Sequence, residues 1–167
     1  PDGADYFSLQ MDTNTSLTHL QLASNGLGKG GVTWLAQVLR NFQSLLSLDV
    51  SWNDLGEDFM SMQSNLVHQG SLTSLTSLKL NQNPIGDWGL KHMALSMYYT
   101  RNLRRLQLQN CEITDKGAAV LGAMVATMSS LRVLDVAFNR VTEIGAWLCS
   151  EWLLVKASRC RLRSDLR

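Results

Sequence analysis

The sequence predicts an α/β solenoid, an arc with a parallel inner sheet and outer helices, and three observations predict it. First, a segment of the form L-x-x-L-x-L/V-x-x-N/C occurs five times. It ends at Asn25, Asn53, Asn83, Cys111 and Asn139, at intervals of 28, 30, 28 and 28 residues. Second, an aliphatic follows two places later in every unit (Leu27, Leu55, Ile85, Ile113, Val141). A glycine follows six places later in four of them (Gly31, Gly89, Gly117, Gly145), with Phe59 the exception. Third, the rest of each unit has helical spacing. Leu35, Ala36 and Leu39 recur as Met93, Ala94 and Met97, as Leu121, Gly122 and Val125, and as Cys149, Ser150 and Leu153. These are the i, i+1 and i+4 positions of one helix face. A single strand and helix cannot bury their apolar sides alone, whereas stacked units share a continuous core.

Taken in order, residues 1–16 fit the second half of a preceding repeat, because Gly3, Ala4, Phe7, Ser8 and Met11 match the later helix pattern. Residues 17–153 hold the five repeats. The second unit departs from the others. Gln63 and Ser64 fall at its core positions, Phe59, Met62 and Leu66 form a stripe one place early, and two extra residues lie in QGSLTS (69–74). A rotated helix or a swollen following loop is expected there. Residues 154–167 read as a degenerate terminal repeat or a junction. Leu162 falls 28 residues after Leu134, but Arg159 and Ser164 stand where apolar residues belong. The chain opens on Pro1 and neither end shows a polar capping unit, so further repeats or domains are expected on both sides.

Composition narrows the function. A 45% apolar and 17% charged chain can build a core, and a formal charge of +1 opposes broad attraction to nucleic acid or membrane. No apolar run approaches the roughly 20 residues of a membrane span, and no leader pattern opens the chain. Cys111, Cys149 and Cys160 form no C-x-x-C and are odd in number, which suits a reducing, intracellular compartment, cytoplasm or nucleus.

Gly26, Gly28 and Gly31 spell G-x-G-x-x-G after a strand, with Asp49 downstream, as in a dinucleotide site. Gly31, however, is the repeat's own glycine, and Asp49 recurs as Asp135. The motif is a coincidence of register. His19, His68 and His92 are dispersed without metal-ligand spacing, His68 falling in the variable linker. Met93, Met97 and Met124 fall on or beside helix-core positions. No catalytic, metal-binding or cofactor-binding residues are expected.

The outward strand positions form three columns. They hold His19, Ser47, Ser77, Arg105 and Val133; then Gln21, Asp49, Lys79, Gln107 and Asp135; then Ala23, Ser51, Asn81, Gln109 and Ala137. Such an amide-rich face with charges of alternating sign suits a protein or peptide and is a poor phosphate tracker. Trp52 and Phe138 precede their asparagines and are either binding anchors or inter-repeat packing. The partner-binding set expected on the concave face is Asp49, Trp52, Lys79, Asn81, Arg105, Gln107, Asp135 and Phe138. Trp34, Trp88 and Trp147 belong to the helix side, with Trp88 expected to pack. The basic tail around Arg159, Arg161 and Arg163 is the one candidate for nucleic acid.

These units resemble the leucine-rich repeat family, in its long, ribonuclease-inhibitor-like class, over residues 3–153. The resemblance implies that the recurring asparagine, replaced by Cys111 in one unit, bonds backbone groups of neighbouring turns as an internal ladder. It also implies a non-enzymatic protein-interaction scaffold. The lengthened unit before Asn83-Pro84-Ile85-Gly86, followed by the Cys111 unit, is similar to the repeats of Tonsoku-type nuclear genome-maintenance scaffolds. The alternatives are the ligand-sensing repeats of NOD-like receptors and a GTPase-activating module of the Ran activator type.

Overall fold

In the computed structural model, which describes residues 16–147 and 161–163, every inward L-x-L becomes a short strand and the second half of the unit a helix. The elements run β1 (His19–Gln21), α1 (Gly28–Arg40), β2 (Ser47–Asp49), α2 (Glu57–His68) and β3 (Ser77–Lys79). They continue through α3 (Gly86–Met97), β4 (Arg105–Gln107), α4 (Asp115–Thr127), β5 (Val133–Asp135) and β6 (Arg161–Arg163). Residues 143–147 are helical as well. The expected half-repeat at 1–16 lies outside the described residues except for Ser16, and the terminal piece at 154–167 except for β6.

The six strands form one parallel sheet in chain order. Leu20, Leu48, Leu78, Leu106, Leu134 and Leu162 make a single row across it. Parallel neighbours need a crossover, and each helix supplies one. Strand residues such as Leu48, Leu78 and Leu106 meet helix residues such as Leu35, Leu39, Met93, Met97, Leu121 and Val125 in one buried core. Met124 joins them.

The asparagine ladder is present. Asn53 Oδ1 accepts from the N–H groups of Asn25 (2.9 Å) and Leu27 (3.4 Å), and its Nδ2 donates to the Leu22 and Val50 carbonyls. Asn83 does the same one unit on, accepting from Asn53 and Leu55. Asn139 accepts from Cys111 and Ile113. Cys111 keeps the donor half of the role, its Sγ lying 3.3 Å from the Leu80 carbonyl. Burial pushes its thiol up to about 12, against the pull of the Asn83 and Gln82 backbone, so it stays an S–H donor at neutral pH.

The repeat glycines answer to packing. A Cβ on Gly31 would lie 2.5 Å from Leu27 Cβ, and one on Gly89 2.7 Å from Ile85 Cγ2. On Gly117 or Gly145 it would strike the carboxylate of Asp87 or Asp115 in the preceding unit. Gly26 and Gly28, the extra glycines of the apparent dinucleotide motif, have positive φ and open space around them. The Gly28 N–H donates to the Asn53 carbonyl at 2.8 Å and that of Gly31 to Leu27, so both serve the solenoid.

In the second unit the loop, not the helix, absorbs the irregularity. Gln63 and Ser64 keep the core register and are buried, Met62 is half-buried, and the extra residues form turns at 69–74. Leu72 has a φ of +59° there. His68 closes α2 rather than lying in the linker. This correction follows from the hydrogen bonding, because the N–H groups of Gln69 and Gly70 still reach back to carbonyls of the helix. The Ser96 hydroxyl donates to Gln63 Oε1 at 3.1 Å, while Gln63 Nε2 has no partner among the described residues. A buried, unpaired amide donor is costly. Gln63→Met is therefore expected to raise unfolding free energy by about 1 kcal/mol in denaturant titration, since Ser96 keeps its bond to the Met93 carbonyl. A loss of stability would mean that the amide is paired.

Two clamps between units have no counterpart in the expected pattern. Asp87 accepts from the Thr114 N–H (2.9 Å) and hydroxyl (2.6 Å), and Asp115 accepts from the Thr142 N–H and hydroxyl, both at 2.7 Å. Earlier units carry Gly56 and Gly86 where the threonine would stand, so these clamps tie only the later interfaces. The Thr142 hydroxyl, then its N–H, hold the Asp115 carboxyl below its ordinary 3.8. A lowered carboxylate stabilises the fold above its unfolded value, and this is lost as pH falls from there through the lowered value. Thr142→Val is expected to move Asp115 back toward 3.8 in a carboxyl-carbon NMR titration and to blunt the acid loss of thermal stability. An unmoved titration would count against the clamp.

Candidate functional site

The sheet carries two of the three expected columns as rows, while the third lies just past the strands, with Ser51 and Ala137 buried. His19, Ser47, Ser77, Arg105, Val133 and Arg161 are register partners in one, and Gln21, Asp49, Lys79, Gln107, Asp135 and Arg163 in the next. Within the second row Lys79 Nζ lies 3.1 Å from Asp49 Oδ2. Burial tends to raise the Asp49 carboxyl, but Ser51, with its N–H at 3.1 Å, and the Lys79 ammonium outweigh this and hold it below the usual range.

The eight expected contact residues do not stand alike. Arg105 is exposed and Gln107 half-buried, and neither side chain bonds another described residue. Asn81 is half-buried, its Oδ1 accepting from the Gln109 N–H at 2.9 Å. Asp135 is on the right row, yet only 1% exposed. Gln109 Nε2 donates to its Oδ2 at 2.8 Å and the Ala137 N–H to its Oδ1 at 3.3 Å. Asp135, expected among the partner contacts, thus has a buried carboxylate, with Gln109 and Ala137 as donors.

Along the edge after the strands, Ser24, Trp52, Gln82, Asn110 and Phe138 all have φ between +49° and +62°. This left-handed conformation strains a non-glycine residue. Bonds between turns hold it, such as the Trp52 N–H to the Asn81 carbonyl at 2.9 Å. The bend turns these side chains away from the core. Trp52 and Phe138 are each 60% exposed, so neither is inter-repeat packing. Between them Asn110 Nδ2 donates to Gln82 Oε1 at 2.5 Å, which gives an amide bridge flanked by aromatics.

The helix side differs from expectation at Trp88, which is 64% exposed. It follows the clamping Asp87 on the outer face of α3, and Lys91 Nζ lies 4.2 Å from its ring centroid. Trp147 is exposed and Trp34 half-buried against the core. His19 is exposed and meets the Thr18 hydroxyl. Among the described residues no histidine, cysteine and carboxylate group could hold a metal ion, and no helix is long and apolar enough to cross a membrane.

A parallel sheet with mixed polar rows and two outstanding aromatics, backed by helices stacked unit on unit, defines a solenoid that presents a surface. A family model described as Leucine Rich repeat matches residues 13–36, 43–58, 71–94, 100–122 and 127–146. The chain belongs to the leucine-rich repeat family. It is 32% identical over 154 residues to mouse NACHT, LRR and PYD domains-containing protein 5, covering 89% of this chain and 13% of that protein. Human NACHT, LRR and PYD domains-containing protein 14 is also 32% identical, over 86% of this chain and 13% of its own length. Mouse ribonuclease inhibitor is 30% identical over 159 residues, covering 94% of this chain and 34% of its own length. The chain thus spans between 13% and 34% of these relatives. Among solved structures, Leiomodin-1 Actin-Binding Site 2 superposes with a TM-score of 0.66 at 12% identity, covering 94% of this chain and 91% of that one, a likeness of fold alone.

Proposed function

We propose that this chain binds a protein or peptide partner on its sheet face and performs no catalysis of its own. The observation that carries the reading is the pair Trp52 and Phe138, each 60% exposed at one edge of the sheet. Large aromatics held in solvent are what a protein interface buries as anchors. Lys79, Asn81, Arg105, Gln107 and Asp49 supply hydrogen bonds and charge beside them, and Asp135 accepts from Gln109. The mouse relative is named ribonuclease inhibitor, a name for a protein that acts on an enzyme.

The relatives bearing NACHT and PYD domains favour a second reading, the ligand-sensing repeat region of a receptor of that kind. The narrower proposal of a Tonsoku-like nuclear scaffold rests on the lengthened second unit and the Cys111 unit that follows.

Partner capture tests the reading. The full chain and a variant with Asp49→Lys, Lys79→Glu and Arg105→Glu are compared by pull-down and mass spectrometry, with folding checked by circular dichroism. A partner lost by at least about tenfold from a folded variant, the expectation for reversed interfacial charge, supports the sheet face. An unchanged captured set would move the site to the helices.

A further inference from the structure

The edge beyond the strands keeps the spacing of the sheet. The N–H groups of Ser24, Trp52, Gln82 and Asn110 donate to the carbonyls of Ser51, Asn81, Gln109 and Ala137 at 2.8–3.0 Å, each bond reaching the next unit. Trp52, Gln82, Asn110 and Phe138 therefore stand in one row, about 4.8 Å between neighbours and about 14 Å from end to end. Asn110 is exposed and Gln82 half-buried, and the bridge between them uses only Asn110 Nδ2 and Gln82 Oε1. Gln82 Nε2 and Asn110 Oδ1 have no partner among the described residues. The row thus offers an aromatic, a free donor, a free acceptor and a second aromatic. Charge beside it is uneven. Arg140 lies 3.8 Å from Glu112 at the Phe138 end, whereas Asp54 is exposed beside Trp52 and bonds no described residue.

We propose that this edge takes an extended segment of the partner running across the strands. Apolar side chains sit on Trp52 and Phe138, and a hydroxyl or amide side chain sits on the Gln82–Asn110 pair between them. The inference rests on the sheet-face reading above and adds the spacing and chemistry of the segment. An extended chain advances about 3.3 Å per residue, so positions four apart are separated by about 13 Å. That matches the distance between the aromatics. Side chains of an extended chain alternate, so the two end residues and the one midway point to the same side. The midway residue then meets the amide pair. Ser, Thr, Asn and Gln both donate and accept there. An apolar residue would leave the donor and acceptor without partners once water is excluded, and a carboxylate or ammonium answers only one of them. Asp54 favours a Lys or Arg just outside the apolar residue at the Trp52 end. A helix advances only about 6 Å in four residues, so the same motif in helical form does not reach both aromatics.

The test is selection of random nine-residue peptides on the immobilised full chain, followed by binding of the selected peptides to variants. They are expected to carry two apolar residues four positions apart, with Ser, Thr, Asn or Gln midway and a basic residue outside one end. Their affinity should fall about tenfold or more on Trp52→Ala and on Phe138→Ala, as it does for anchors. Reselection on Gln82→Leu should replace the polar midway residue by an apolar one, a change of specificity that misfolding would not produce. Trp52 and Phe138 show that this left-handed position accepts a large apolar side chain, and circular dichroism checks that each variant is folded. Peptides without this spacing, or with a midway preference unchanged on Gln82→Leu, would overturn the inference. Loss of such peptides on the Asp49→Lys, Lys79→Glu and Arg105→Glu variant would still keep the sheet-face reading. Peptides indifferent to every substitution, or none selected, would overturn both.

Discussion

Phe59→Gly, which restores the glycine found at the same place in four other units, is expected to destabilise the chain by about 4–6 kcal/mol. Truncating a buried phenylalanine to alanine costs about 3–5 kcal/mol, and glycine in a helix adds about 1 more. Phe59 is 0% exposed and belongs to the continuous core. The first turn of α2 makes room for it. The Phe59 N–H bonds the Gly56 carbonyl three residues back, whereas those of Gly31 and Gly89 bond four residues back to Leu27 and Ile85. Typical domains are stable by only about 5–15 kcal/mol, so the variant should be partly unfolded at room temperature in a urea titration. A midpoint within error of the parent would show that the side chain is dispensable.

The second large effect is expected at Asn83. Asn83→Ala removes the acceptor of the Asn53 and Leu55 N–H groups. It also removes the donor to the Val50 and Leu80 carbonyls. Those carbonyls keep second donors in Asn53 Nδ2 and Cys111 Sγ. The two N–H groups are left without that partner inside the stack. At about 1–3 kcal/mol for each buried orphan, the loss is about 2–6 kcal/mol. Cys111→Ala should cost distinctly less, about 1–2 kcal/mol, because Asn83 Nδ2 still reaches the Leu80 carbonyl. Equal losses in denaturant unfolding would contradict this division of the ladder.

The period of the chain makes the solenoid legible in the sequence. Inward leucines two apart define strands, the i, i+1, i+4 stripes define helices, and the constant interval fixes the register that joins them. The first two outward rows follow from that register, and their membership holds residue by residue along the paired strands. The third expected column lies beyond the strands, and its Ser51 and Ala137 are buried. Exposure along the rows is less legible. Asp135, unlike Asp49, accepts from Gln109 on the neighbouring turn. No spacing within one unit carries that information. The Asp87–Thr114 and Asp115–Thr142 clamps span 27 residues and become visible only when neighbouring turns are stacked.

The edge aromatics show the same division. The place before the asparagine is evident from the repeat, but whether Trp52 folds inward depends on its φ of +59°, a property of the turn rather than of tryptophan. Trp88 reads as a packing residue because hydrophobicity argues for burial, whereas its place on α3 faces outward beside Lys91. The tail looks degenerate because Arg159 and Ser164 break the apolar pattern. A three-residue strand needs only backbone pairing in register, and residues 161–163 pair with β5 in that way.

The most direct measurement is hydroxyl-radical footprinting of the captured complex, read at aromatic residues that are about equally exposed on the two sides. Trp52 and Phe138 report on the sheet edge, and Trp88 and Trp147 on the helices. Protection of Trp52 and Phe138 with Trp88 and Trp147 unchanged is the predicted result. Protection of Trp88 and Trp147 with the sheet edge still reactive would contradict it.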